Sequence, residues 1–114
     1  MDLRNIIDER ACTIALSSDN KEDCMRELAE LACSGLDGVT PDEVHRALLD
    51  REAAGSTGFE DGVAIPHARL PQASHFVFGV ALSKHGIVYD SIDGKRTRLF
   101  FSLVGPDEDP QAYL

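Results

Sequence analysis

Apolar residues recur at helical spacing through the first half of the chain and in short continuous runs through the second. Between residues 20 and 33, Cys24, Met25, Leu28, Leu31 and Ala32 fall on one stripe of an amphipathic helix. Asp19 and Glu22 are placed to form a capping box at its start, and Gly35 and Gly38 end it. A second helix is predicted over about 41–54. Thr40-Pro41-Asp42-Glu43 sets a hydroxyl at the N-cap, proline at the first helical position and glutamate at the third. Val44, Ala47, Leu48 and Ala54 then face the core, and Gly55 is a natural stop. Ahead of both helices, residues 11–16 (ACTIAL) read as a strand or an extended lead-in.

Beyond Gly55 the pattern changes. Residues 56–62 are rich in turn formers. Val63-Ala64-Ile65 reads as a short strand that stops at Pro66, because proline cannot donate to a sheet ladder. Residues 76–82 (FVFGVAL) are apolar almost throughout, the pattern of a strand buried on both faces. Segments 87–92 and 97–104 flank Asp93-Gly94, a signal for a tight hairpin, and the run 99–104 is expected to be a central strand. Gly105-Pro106 breaks it before an acidic loop at 107–110. The order strand, helix, helix, then several strands implies an α/β layered domain with a mixed sheet. The chain stops at Tyr113-Leu114, where an amphipathic helix could begin. One sheet face is then expected to lack cover, either because the chain is a fragment truncated at its C-terminus or because another subunit supplies it.

Composition narrows the class. A chain of 114 residues with 43% hydrophobic and 27% charged residues fits one globular domain and not a disordered segment. No apolar run approaches the roughly 20 residues of a membrane span, and Met1–Arg10 lacks the apolar middle of a signal peptide. A cytoplasmic protein is expected. The net charge of −9 disfavours nucleic acid as a partner and suits docking on a basic protein surface. The one basic cluster, Lys95, Arg96 and Arg98, sits beside the predicted turn and reads as a solvated hairpin. Three cysteines with no CxxC are no disulfide framework, and they fit a reducing compartment. Cys24 and Cys33 read as small buried hydrophobes.

Candidate chemistry concentrates in residues 48–69, LLDREAAGSTGFEDGVAIPHAR. His67 follows a strand and a proline that fixes its own φ and restricts Ile65, so the imidazole is presented from a stiff segment. A neutral imidazole is a nucleophile through one nitrogen while the other is held by the protein. Arg51 and Arg69 are nearby cations in sequence. Gly55, Gly58 and Gly62, with the hydroxyls of Ser56 and Thr57, could offer donors to an anion. The same residues are also compatible with a hydrogen-bonded structural histidine beside ordinary turn glycines. His45 is placed on the polar side of the second helix, His75 ahead of a strand and His85 in a turn. None has metal-ligand spacing with a cysteine, so no metal site is expected. The chain contains neither a GxxxxGK[ST] phosphate loop nor a GxSxG nucleophile elbow.

The string REAAGSTGFEDGVAIPHAR resembles the signature of the type 2 enzyme IIA family of the bacterial phosphotransferase system, the fructose/mannitol/nitrogen-regulatory type. The likeness extends to Asp90-Ser91-Ile92-Asp93-Gly94, to LFFSLVGPDED and back through both helices. It implies an α/β/α sandwich with a mixed sheet, whose C-terminal helices fall outside this chain. It also implies that His67 accepts a phosphoryl group through Nε2 from HPr or an HPr-like carrier. The group then passes to a IIB domain or serves as a regulatory mark, with no cofactor or metal. Arg51 matches the motif arginine and is expected to stabilise phosphate charge. Ser56 and Thr57 either bond the phosphate or build the turn. Where many members have a second histidine followed by leucine, this chain has Tyr113-Leu114; tyrosine is no cation near neutral pH. That departure favours a regulatory protein over a sugar-transport component. The competing reading is a non-catalytic docking module of the same fold that controls a transporter, kinase or transcription regulator.

Overall fold

The computed structural model describes residues 7–106. Two helices pack on one face of a four-stranded mixed sheet, as the order of elements implied. Helix α1 is Lys21–Ser34 and α2 is Pro41–Ala53. Strands β1 (Val63–Ala64), β2 (His67–Arg69), β3 (Val77–Ile87) and β4 (Thr97–Gly105) follow.

The start of α2 forms as expected. Thr40 Oγ1 accepts from the Glu43 amide at 3.2 Å, and Glu43 Oε1 accepts from the Thr40 amide at 3.0 Å. At α1 the cap lies one residue later than predicted. Asn20, not Asp19, accepts from the Asp23 amide at 2.8 Å, so the Asp19–Glu22 box does not form. Asp19 and Asn20 are both good N-caps, and sequence alone does not rank two adjacent ones. Ala54 is exposed beyond the last turn of α2, whereas Val44 and Leu48 are buried as expected.

Strand β4 is central. Along one edge it pairs in parallel with β1 (Val63 opposite Leu99) and then with β2 (His67 opposite Leu103). Along the other edge it pairs antiparallel with β3. No sequence signal marks β2. Pro66 ends the first short strand, but its carbonyl still accepts from the Leu103 amide at 3.0 Å, so the edge resumes at once. The lead-in 11–16 is extended only in part. Residues Glu9–Ala11 are a 3-10 turn, and Thr13 and Leu16 then bond to β3 through Val80 and Leu82.

Strand β3 is longer than residues 76–82 and is not buried on both faces. Its buried and more open positions alternate from Val77 to Leu82. The segment 83–87, polar in pattern, pairs again with β4 after an irregularity between Leu82 and Ile87, which puts His85 in the strand and not in a turn. Of the predicted strand 87–92 only Ile87 is in the sheet, at the end of β3; 88–92 is loop, and Asp93-Gly94 lies within a nine-residue connection, 88–96, instead of a tight hairpin.

The core lies between helices and sheet. Cys24, Met25, Leu28, Ala29 and Ala32 of α1 and Val44 and Leu48 of α2 meet Ala64, Ala68, Val77, Ala81, Phe100 and Val104. On the other sheet face Phe78 and Phe101 stack at 5.9 Å between centroids and are half-buried. The expected acidic loop at 107–110 and the Tyr113-Leu114 pair lie outside the described residues.

Candidate functional site

The site forms where the C-terminal end of α2 meets the edge of the sheet. β2 begins at His67, which places the half-buried ring beside the last turn of α2. Ring Nδ1 lies 2.9 Å from the Ile65 carbonyl, which can only accept, so Nδ1 carries the proton. The lone pair is thereby left on Nε2. Two residues before a proline-bound histidine, the Ile65 carbonyl is fixed by the chain itself, because Ile65 and Pro66 have restricted backbones.

Nε2 is not open. The Arg51 Nε donates to it at 3.0 Å, and Arg51 Nη1 donates to the Gly55 carbonyl at 2.8 Å. A guanidinium thus stands on the nucleophilic atom, anchored through its second nitrogen to the loop that follows α2. Arg51 and His67 are brought together as their sequence proximity suggested. Arg69 is exposed on β2.

Ser56 and Thr57 are engaged inside the loop. Thr57 is 2% exposed. Its hydroxyl donates to Glu52 Oε2 at 2.8 Å, and its amide donates to Glu52 Oε1 at 2.9 Å. Ser56 Oγ donates to the Tyr89 carbonyl at 3.2 Å and accepts from the Gly58 amide at 3.1 Å. Glycine is required at 58, where a Cβ would stand 2.9 Å from Ser91 Oγ and 3.1 Å from Ser91 Cα.

Glu52 organises this loop, and sequence reasoning assigned it no role beyond a place in the motif. Its carboxylate also takes Lys21 Nζ at 3.0 Å. Burial alone would raise its pKa, but bonds from the Thr57 hydroxyl, Lys21 and the Thr57 amide outweigh burial and hold it below the usual carboxylate value. Lys21 also lies 4.8 Å over the Tyr89 ring. Tyr89 is fully buried at the core side of the loop and its phenol is pushed up, mainly by burial. The usable signal was Glu52 five residues before Thr57, at the end of a helix.

The remaining histidines lie elsewhere. His75 Nε2 is 3.0 Å from the Gly35 carbonyl. His45, expected on the polar side of α2, is instead half-buried. Its Nε2 is buried without a hydrogen-bond partner among the described residues, and the residue lines a groove with Met25, Leu49 and Ala53. Cys24 is buried, and its thiol is pushed up to about 12, chiefly by burial. Cys33 Sγ donates to the Val39 carbonyl.

Two helices packed on a mixed sheet are the fold of enzyme IIA proteins of the phosphotransferase system. The chain belongs to the family described as phosphoenolpyruvate-dependent sugar phosphotransferase system, EIIA 2, whose profile matches residues 5–114. The curated proteins it is similar to include nitrogen regulatory proteins and fructose-specific EIIA components. The nitrogen regulatory protein of Klebsiella oxytoca is 30% identical over 115 residues, covering 100% of this chain and 70% of the relative. That of Bradyrhizobium diazoefficiens is 34% identical over 108 residues, covering 94% and 69%. The crystal structure of nitrogen regulatory protein IIA-Ntr from Neisseria meningitidis superposes with a TM-score of 0.88 at 25% identity, over 97% of this chain and 75% of that one. IIA mannitol from Escherichia coli shares the fold, with a TM-score of 0.70 at 21% identity, over 93% and 77%. No helix among the described residues is long and apolar enough to cross a membrane.

Proposed function

We propose that the chain is a phosphocarrier in which His67 Nε2 accepts a phosphoryl group from an HPr-type protein, in a nitrogen-regulatory role. The observation that carries this reading is the pair of bonds on one ring: the Ile65 carbonyl accepts from Nδ1–H, and Arg51 Nε donates to Nε2. The first makes Nε2 the nucleophile. The second places a cation where phosphate oxygens would arrive.

In the transfer, the Nε2 lone pair forms an N–P bond as the donor's N–P bond breaks. The electron pair of the broken bond returns to the donor ring, which takes up a proton from solvent. The proton stays on His67 Nδ1, donated to the Ile65 carbonyl, and that bond supports the charge of the phosphorylated ring. Arg51 leaves Nε2 and turns to the phosphoryl oxygens, for which a planar fork of donors is suited. Such a transfer needs positioning and charge stabilisation and little else. Ser56 and Thr57 serve this site by building the loop that anchors Arg51. A IIB domain is a candidate acceptor, since IIA mannitol, of the same fold, is described in complex with phosphorylated IIB mannitol.

The test is to incubate the protein with phosphoenolpyruvate, enzyme I and an HPr-type carrier. One acid-labile phosphate should be gained, and His67→Ala should abolish it. If the wild type stays unlabelled with each cognate carrier, the docking-module reading replaces this one.

A further inference from the structure

Cations in this acidic protein are distributed unevenly. Arg10, Lys21, Arg26 and Arg46 each lie within 4.0 Å of a carboxylate. At the far end of the β3–β4 pair the pattern reverses. Lys84, Lys95, Arg96 and Arg98 form no ion pair among the described residues, although the chain has 20 acidic residues against 11 basic ones. Three of these cations, Lys95, Arg96 and Arg98, line a cavity of about 500 Å³ together with Gly62 and Asp61. It is a wide-open concavity whose charged lining side chains are exposed, and its volume is in the range of small-molecule sites.

The cavity is held in shape by the backbone. Arg98 Nη1 donates to the Lys84 carbonyl at 2.8 Å, and Arg96 Nη1 donates to the Gly86 carbonyl at 3.4 Å. Each guanidinium is thus tethered through one nitrogen, which leaves its other donors for a ligand. Gly62, at φ +79, brings its backbone to the wall; a Cβ there would stand 3.4 Å from the Arg96 carbonyl. Asp93, the acid beside Lys95 at the turn, has its carboxylate occupied by the amides of Asp61 and Lys95, each at 3.0 Å. The lining itself carries three cations against the carboxylate of Asp61, with the ionised Asp93 carboxylate beside Lys95 as the nearest further negative charge.

We propose that this cavity binds a small, multiply charged phosphate compound. Paired guanidiniums are matched to phosphate oxygens in geometry, and a local positive field draws a polyanion that the rest of the surface repels. The site is separate from His67. His67 pairs with Leu103, five residues along β4 from Arg98 and so about 16 Å away. The two are joined by the continuous edge from Gly62 through β1 to Ile65, whose carbonyl holds the His67 ring.

The test uses the full chain and pyrophosphate as the probe, without metal, followed through amide chemical shifts. Saturable shifts are expected at residues 61–62, 84–86 and 95–98. They should weaken about tenfold in Arg98→Gln, the loss of one charge-assisted contact, and persist in His67→Ala. Because Arg98 also ties the two strands together, Lys95→Gln serves as the second variant. It should weaken binding severalfold with no change in thermal midpoint. Four results would overturn the proposal: no saturation at millimolar pyrophosphate, equal affinity in both cation variants, shifts centred on Arg51 and His67 that vanish in His67→Ala, or saturable binding of polyglutamate with none of pyrophosphate. The last would make the patch a protein-docking surface.

Discussion

Removing the Arg51 guanidinium separates two things it could do at His67. It caps the Nε2 lone pair at 3.0 Å in the resting protein, and it would meet phosphoryl oxygens once transfer begins. Only the difference between the two states affects the rate. In the resting state the charged guanidinium donates to a neutral imidazole, and a hydrogen bond involving one charged group contributes about 1.5–3 kcal/mol. Two unit charges 4 Å apart attract by about 4 kcal/mol at an effective dielectric of about 20, and partial exposure of the site reduces that. The net advantage of Arg51 in the transition state is then about 1–2 kcal/mol, or roughly fivefold to thirtyfold in rate. Arg51→Ala should slow phosphoryl transfer from the phosphorylated carrier by that factor and shorten the lifetime of the phosphohistidine. Arg51→Lys, which keeps the charge but loses the planar fork, should fall between. Rapid quench with intact-mass readout measures both. A thermal melt controls for the Nη1 bond to Gly55, whose loss could loosen the loop. If Arg51→Ala accepts phosphate as fast as the wild type or faster, Arg51 is only a resting clamp and the charge argument fails.

Three further outcomes follow from the packing. Gly79→Ala should destabilise by about 1–3 kcal/mol in urea unfolding, because its new Cβ collides with the Ala11 carbonyl and stands 2.8 Å from Ser102 Oγ. Thr40→Ala should cost about 1 kcal/mol in the same assay, since it removes the acceptor of the Glu43 amide from the capping box. Glu27 accepts from the amides of Ser17 and Ser18 and from the Ser18 hydroxyl. Burial opposes ionisation there, but those bonds prevail, and its folded pKa lies below the ordinary 4.5. The unfolded chain therefore binds the proton first as pH falls. The stability Glu27 confers is complete above 4.5 and is lost as pH drops through the lower folded value. Glu27→Gln should flatten that part of the acid-unfolding curve, and an unchanged slope would refute the assignment.

The helices were legible because their signals are local. The Thr40 box and the apolar stripe of α1 act within one or two turns, so the residues that decide them are sequence neighbours. The same locality explains the error at Asp19, where two adjacent capping residues compete on equal terms. Strand β4 was legible because no residue from 99 to 104 is exposed on either face, so nearly every position is apolar. The extension of β3 through 83–87 was not, since its polar residues join the sheet only by pairing with β4 across an irregularity in register. At the site, His67 and Arg51 stood out in the sequence. Glu52 did not, because its importance rests on Thr57, Lys21 and Tyr89 converging from three separate segments.

By itself, the sequence determined the α/β class, both helices, the central strand and a proline-restrained histidine near an arginine. These follow from periodicity, caps and fixed backbone torsions, which act over a few residues. Only the tertiary structure decided which nitrogen of His67 keeps its proton, that Arg51 stands on the other, and that four cations with no ion pair among the described residues collect at one end of a strand pair. Those outcomes depend on distances between segments far apart in the chain, and such distances exist only once helices and sheet have packed.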